Sequence, residues 1–424
     1  MRKLNGIHLK HSKNTAGCKT EVMEVPSEVI IPMNMNMGAH SIPIVKPGDH
    51  VDVGQKIGDT DKFLSAPVHS SVSGTVKAIT EIRAMNGVCQ AIKIETDGQQ
   101  TVSEDVAPPE IKDRESFIKA LRESGLTGLG GAGFPTHIKS NSKTPIDTLV
   151  INAAECEPHI TSDHRQMVEA PDDVIGGIKL VLKYLDIPKA VIGIENNKPD
   201  AIALLKEKTA SEPDISVKVL PSVYPQGAEK VLIYNITGRM VMERQLPSDQ
   251  GVIVMNVSTV AYINTYITTG MPLCERRITV DGDTIKKPCN LLVKIGTPVS
   301  KILDHAECDK DRVKKLIMGG PMMGMCAYEE DTVVGKSNNA VLAFEKIAEK
   351  VQTNCIRCGR CISVCPMDLM PTDIEKAYQR RDIEALKKLK VTLCMNCGCC
   401  TYACPAGRSL AEVNQLAKGI IPRN

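Results

Sequence analysis

Two cysteine runs near the end of the chain constrain it more than any other feature. The first is Cys355-Ile-Arg-Cys358-Gly-Arg-Cys361-Ile-Ser-Val-Cys365-Pro366, and the second is Cys394-Met-Asn-Cys397-Gly-Cys399-Cys400-Thr-Tyr-Ala-Cys404-Pro405. Both contain C-x2-C-x2-C-x3-C-P. Thiolates at two-residue intervals can wrap a tight loop around one metal–sulfur cubane. A fourth sulfur sits on the following turn, and the proline keeps the next helix from starting too early. Zinc also favours paired C-x-x-C hooks, but it needs no third cysteine at this interval, and here the pattern occurs twice. Disulfides fit less well still. The start, Met1-Arg-Lys-Leu-Asn-Gly, lacks the apolar region of a secretory signal, which points to a reducing compartment.

The spacing is that of bacterial ferredoxins with two [4Fe–4S] clusters, in which the fourth cysteine of each run serves the other cluster. The expected ligand sets are Cys355, Cys358, Cys361 and Cys404 for one cluster, and Cys394, Cys397, Cys400 and Cys365 for the second. Cys399 is left over and is assigned to local packing. Cys274, Cys289, Cys308 and Cys326 have no ligand spacing and read as structural.

Bulk properties narrow the remaining choices. A length of 424 residues suits about three domains by the length prior. The net charge of +2 supplies no basic field for nucleic acid, and 3% aromatic content without Trp leaves little for base stacking. No stretch approaches the roughly 20 apolar residues of a membrane span, so any membrane link is expected through a partner.

Residues 1–110 read as a β domain of barrel-sandwich type. Val45-Lys-Pro-Gly-Asp-His-Val-Asp-Val-Gly and Ala66-Pro-Val-His-Ser-Ser-Val-Ser-Gly-Thr-Val alternate short strands with turn signals. The texture resembles the hammerhead-like barrels of biotinyl and lipoyl carriers, but no Met-Lys-Met turn is present to carry a covalent cofactor. His50 and His69 are expected in turns or at the surface. Val106-Ala-Pro-Pro-Glu reads as a linker, followed by a helix through Phe117, Ile118 and Leu121 that ends near Gly125.

Gly125-Leu-Thr-Gly128-Leu-Gly130-Gly131-Ala132-Gly133-Phe134-Pro-Thr comes next. Gly128, Gly130 and Gly133 satisfy G-x-G-x-x-G. A dinucleotide fingerprint follows a strand, however, and this one follows a helix. Such glycine density still lets backbone approach a flat or anionic ligand and aim N–H groups at it. Strands at 147–152, 190–195 and 215–220 then alternate with helices at 171–185, 199–208 and 228–235, predicting a parallel sheet with its ligand at the carboxyl ends. Those ends carry Asn152-Ala-Ala-Glu155-Cys-Glu157, Glu195-Asn-Asn-Lys198 and Tyr224-Pro-Gln-Gly-Ala-Glu229.

The glycine loop and these strand ends resemble the NADH-binding (51 kDa-type) subunit of respiratory complex I. Asn152-Ala-Ala-Glu155-Cys-Glu157-Pro is similar to that family's Asn-Ala-Asp-Glu-Ser-Glu-Pro, and Asn256-Val-Ser-Thr259 to its Asn-Val-Glu-Thr. Ala154, Ala228 and Met255 depart from the polar residues of that pattern. The order of barrel, flavin domain, small β domain and two cluster motifs resembles the RnfC family of the Rnf electron-transport complex over essentially the whole length. The resemblance implies a multidomain α/β and α+β chain. Its parts are a barrel-sandwich domain at 1–110, an FMN/NADH domain at 111–269, a β-grasp module at 270–340 and a helical two-cluster ferredoxin-like domain at 341–424. It implies a non-covalent FMN held by Gly128, Gly130, Gly131, Ala132, Gly133 and Lys139, with Asn152, Glu155, Tyr224, Asn256 and Thr259 around it. Phe134, Glu157 and Glu229 would face NAD(H).

Glu275-Arg-Arg-Ile-Thr-Val and Asn290-Leu-Leu-Val-Lys-Ile give the module two strands, with a helix at 299–305 and a returning strand; Gly319-Gly-Pro-Met-Met-Gly324 reads as a tight turn. Between the cysteine runs, Ile374, Ala377, Tyr378, Ile383, Leu386 and Leu389 form apolar stripes expected to pack around the clusters.

Hydride delivers two electrons together and a cluster accepts one, so a flavin between them is the required adaptor. The expected function is electron transfer between NAD(H), FMN and two [4Fe–4S] clusters; no side chain need act as catalytic acid or base. The resemblance places the chain on the cytoplasmic face of the membrane, bound through other Rnf subunits that include the ferredoxin-like RnfB, in an ion-translocating ferredoxin:NAD+ oxidoreductase. Ferredoxin would be an indirect partner. A soluble NADH dehydrogenase feeding a substrate reductase such as proline reductase is the second enzyme reading. A two-cluster carrier with a relic flavin domain is the non-enzymatic one.

Overall fold

The computed structural model describes residues 4–84, 87–327, 332–347 and 350–422. The barrel region contains a four-stranded antiparallel sheet, in the order Glu28–Pro32, Gly87–Thr96, Gly74–Ala84, His50–Val51, and a three-stranded sheet of Ile42–Pro43, Lys56–Asp59 and Val68–His69. Alternation along these strands turns Val29, Ile31, Val51, Ile57, Val68, Val76, Ile92 and Ile94 into one fully enclosed core. His50 is exposed as expected, but His69 is buried. It packs where the barrel meets the turn at Gly125, and burial pushes its pKa well down.

Asp113 caps the helix Arg114–Glu123, which ends on Gly125 in the left-handed region, φ +67°. The parallel sheet follows, in the order Ile215–Leu220, Ala190–Glu195, Thr148–Ala153, Val252–Asn256. Helices Pro171–Leu185, Pro199–Lys208 and Glu229–Thr237 lie where the periodicity put them. Two helices were not anticipated. Ser162–Glu169 has only two apolar residues among eight, and Val257–Thr269 was visible only as a motif. The strand order reverses between Thr148–Ala153 and Val252–Asn256. That topological switch point opens a crevice at the carboxyl ends, where Asn152 and Asn256 stand side by side in register.

The next sheet has six strands, in the order Thr20–Val22, Cys289–Lys294, Glu275–Asp281, Ala340–Phe344, Lys315–Met318, Met325–Cys326, with helix Val299–His305 against it. Its edge strand Thr20–Val22 comes from ahead of the barrel and pairs parallel to Cys289–Lys294. The turn at 319–324 is tight, with the Gly324 amide donating to the Gly320 carbonyl at 2.8 Å.

The C-terminal lobe is helical, and Ile374, Ala377 and Leu386 are buried beside Cys365, as the stripes predict. Residues 5–15 run across the carboxyl end of the parallel sheet. Asn5 reaches Asp368 at 3.3 Å, Ile7 pairs with Tyr224 through two backbone hydrogen bonds of 2.9 and 3.0 Å, and Lys13 donates to the carbonyls of Glu155, Glu157 and Ile160.

Candidate electron-transfer site

The glycine loop closes on itself through the Gly128 amide, which donates to the Phe134 carbonyl at 2.9 Å. Its carbonyls are captured from behind. Lys336 Nζ donates to Gly125 at 2.7 Å, Arg276 Nη2 to Leu129 at 3.2 Å, and the Met37 amide to Gly133 at 2.9 Å. The Leu129 amide is taken by Thr259 Oγ1 at 3.1 Å. Among the described residues, the amides of Gly130, Gly131, Ala132 and Gly133 donate to no protein acceptor. Four consecutive free amides with their carbonyls turned away make an anion-binding concavity.

Gly130 is required by space. A Cβ there would lie 2.4 Å from Asn256 Nδ2, whereas one on Gly131 would meet nothing within 4 Å. Asn256 is fixed in turn: its Oδ1 caps helix Val257–Thr269 at the Ser258 and Thr259 amides, and its Nδ2 donates to Asp163 at 2.7 Å. Asn152, its neighbour in register, donates to the Gly227 carbonyl at 2.8 Å. Lys139 reaches the crevice from helix Thr136–Ser140 and bonds Glu229 at 2.8 Å and the Val254 carbonyl at 3.0 Å. The structure thus gathers Gly128 to Phe134, Lys139, Asn152, Glu229, Asn256 and Thr259 at the switch point.

Three other expected residues spend their polar groups elsewhere. Glu155 is buried with φ +44°, accepts the Asp163 and His164 amides at 2.6 and 3.3 Å, and faces Lys13. Burial pushes both members of that pair toward their neutral forms. Glu157 accepts the Met322 and Met323 amides at 3.0 and 2.8 Å, holding the 319–324 turn, and burial raises its pKa. Tyr224 is buried, and its hydroxyl donates to the Cys397 carbonyl at 2.8 Å.

Tyr224 therefore joins the parallel-sheet domain to the second cysteine run. Ile7, Tyr224 and Cys399 form a small apolar core with Cys156, Met322 and Cys397 packed against it. The contacts are continuous from the loop: Asn256 beside Asn152, Asn152 to Gly227, the Gly227 amide to Cys156 Sγ at 3.3 Å, and Cys156 into the Tyr224 cluster. Cys365, Cys394, Cys397 and Cys400 line one cavity, while Cys355 and Cys404 both lie near Arg408. The crossed pairing expected from the spacing matches this geometry. Both runs use the same local backbone, with Arg357 and Gly359 in one and Asn396 and Gly398 in the other in the left-handed region. Residues 351–360 are all exposed, so Cys355 and Cys358 sit at the surface; Cys394 and Cys397 are half-buried under the flavin domain.

Residues 2–99 match the RnfC barrel sandwich hybrid domain, residues 121–265 the Nuo51 FMN-binding domain, and residues 354–408 the 4Fe-4S dicluster domain. The chain is 41% identical over 384 residues to the RnfC subunit of the Na(+)-translocating ferredoxin:NAD(+) oxidoreductase complex of Acetobacterium woodii, covering 88% of this chain and 87% of the relative. It is 40% identical to the corresponding subunit of the proton-translocating ferredoxin:NAD(+) oxidoreductase complex of Clostridium ljungdahlii, over 87% and 82% of the two chains. The corresponding subunit of the ion-translocating oxidoreductase complex of Rhodobacter capsulatus is 37% identical, over 98% and 82%. The chain belongs to the RnfC family.

A chain of the NAD+-reducing [NiFe]-hydrogenase shares the fold at a TM-score of 0.52 and 18% identity; the match spans 74% of this RnfC-family chain and 64% of that one. An FMN-binding domain and a dicluster domain in one polypeptide make this RnfC-family chain an electron-transfer component of an oxidoreductase. The residues fit both groups. Gly130 leaves a cradle that any Cβ would fill, four amides face it, and eight cysteines supply thiolates in the crossed arrangement two cubanes need. Arg276 and Lys336 escaped the sequence reading. Nothing local marks them, because the carbonyls they hold lie 147 and 211 residues away.

Proposed function

We propose that this chain passes electrons between NAD(H) and two [4Fe–4S] clusters by way of a non-covalent FMN at the switch-point crevice. When bound, the flavin accepts two electrons together and releases them singly. The amides of Gly130 to Gly133 orient its phosphate, Asn152 and Asn256 set the crevice floor, and Thr259 fixes the loop through Leu129. The Lys139–Glu229 pair supplies a positive group within reach of an anion, and Phe134 covers the nicotinamide side. The carrying observation is the Tyr224–Cys397 hydrogen bond of 2.8 Å, which makes Cys394, Cys397, Cys400 and Cys365 the inner ligand set and Cys355, Cys358, Cys361 and Cys404 the outer one. The exposed loop 351–360 is then where electrons are exchanged with a partner.

No helix among the described residues is long and apolar enough to cross a membrane. Together with relatives named as subunits of ion-translocating complexes, this supports a peripheral place on the cytoplasmic face, held by other Rnf subunits including the ferredoxin-like RnfB. Protein reconstituted with FMN, iron and sulfide should show cluster bleaching on addition of NADH. Neither bound flavin nor bleaching would remove the proposal, and native isolation without membrane Rnf subunits would remove the placement.

A further inference from the structure

Two cations lie behind the glycine loop, and both come from outside the flavin domain. Arg276, on strand Glu275–Asp281, is 5% exposed; its Nε donates to the Asn338 carbonyl at 3.2 Å and its Nη2 to Leu129. Lys336 is 1% exposed and donates to the Pro67 carbonyl at 2.6 Å and to Gly125 at 2.7 Å. Neither makes an ion pair with a carboxylate among the described residues. Burying charge without a partner carboxylate is costly, and apolar side chains of the same size would join the same modules without that cost. The carbonyls they capture bracket the four free amides, so the same bonds that hold Gly125 and Leu129 keep Gly130 to Gly133 facing the crevice.

We infer that Arg276 and Lys336 are positioning residues for the flavin: they turn the loop amides toward it and place fixed positive charge behind it. This rests on the FMN reading above. Burial holds the pKa of both groups below their ordinary values, that of Arg276 at about 10, which leaves the guanidinium charged near neutral pH. Positive charge close to a bound flavin favours its reduced, more anionic form, because a low-dielectric surround screens the charge weakly. The two residues therefore act on flavin affinity and on midpoint potential together. A purely structural tie would act on neither in the folded protein.

The test compares R276Q, R276K, K336M and K336Q with the parent chain, full length and cluster-reconstituted. Each is scored for thermal stability, FMN affinity by flavin-fluorescence quenching, and flavin midpoint potential. R276Q and K336M are expected to weaken FMN binding by about ten-fold or more, the scale of one charged hydrogen bond, and to shift the midpoint to more negative values. R276K should restore most of the potential, and K336Q should shift it as K336M does. Neutral variants that fold with parental affinity and potential would overturn the inference, as would neutral variants that do not fold, since either outcome leaves only a structural tie. If the parent chain itself binds no FMN, the failure lies in the proposed function and not in these residues.

Discussion

The Tyr224 hydroxyl donates to the Cys397 carbonyl at 2.8 Å, so a residue expected beside the flavin instead fastens the flavin domain to a cluster loop. This joint makes the two halves of the electron path one packed body. Replacing Tyr224 by Phe removes one buried hydrogen bond and should cost about 1 kcal/mol of stability. In rapid mixing with NADH, flavin reduction should keep its rate while cluster bleaching slows. Equal slowing of both phases would show that Tyr224 acts at the flavin after all.

Gly130 and Gly131 make a matched pair for testing the crevice. G130A forces a Cβ against the Asn256 side chain and should abolish FMN retention without loss of the circular dichroism signal, whereas G131A has open space and should keep FMN. Bound-flavin absorbance after desalting reads both. Equal loss in the two variants would show that loop flexibility, not the fit at Asn256, governs binding.

The crossed ligand sets predict unequal consequences for equivalent cysteines. C355S should remove the outer cluster and half the iron, yet leave one cluster that NADH still reduces. C365S should remove the inner cluster and disconnect the remaining one from NADH. Iron analysis and electron paramagnetic resonance after NADH addition distinguish the two, and a reversed result would invert the assignment of inner and outer sets.

Glu169 supplies a pH-dependent tie between helix Ser162–Glu169 and the edge strand Thr20–Val22. Burial pushes its carboxyl up, but hydrogen bonds from Thr20 and the guanidiniums of Arg165 and Arg277 prevail and leave its pKa at about 2, against an ordinary 4.5. The folded value lies below the unfolded one, so the stabilisation is complete above about pH 4.5 and fades as pH falls toward 2. E169Q should lose about 1–3 kcal/mol at pH 7, and the gap from the parent chain should close in acid. Urea titrations at pH 7 and pH 3 read the difference, and a constant gap would exclude Glu169 as the source.

The parallel sheet was legible because its strands and amphipathic helices alternate with clear periods, and the cluster ligands because spacing alone defines them. Helix Ser162–Glu169 was missed because its stability comes from Glu155, which accepts two of its first amides, rather than from an apolar stripe. The edge strand Thr20–Val22 has three residues and a single ladder partner, too little to leave a pattern. At the site, the glycines and asparagines announced themselves by type. Glu157, Arg276 and Lys336 act on backbone groups distant in sequence, and a carbonyl's need for a donor leaves no trace in residue identity.

The segment from Asn5 to Thr15 has a consequence for how the polypeptide is made. Asn5 and Asp368 are 363 residues apart, and Ile7 finds its backbone partner only at Tyr224. Translation delivers these early residues first, long before the surfaces they cross. They must therefore stay unpaired until the sheet exists, and then until the cysteine runs emerge from the ribosome. Iron loading and the seating of this segment become neighbouring late events, so a polypeptide stalled before its second cysteine run would expose both an unsealed crevice and an unanchored leading segment to quality control.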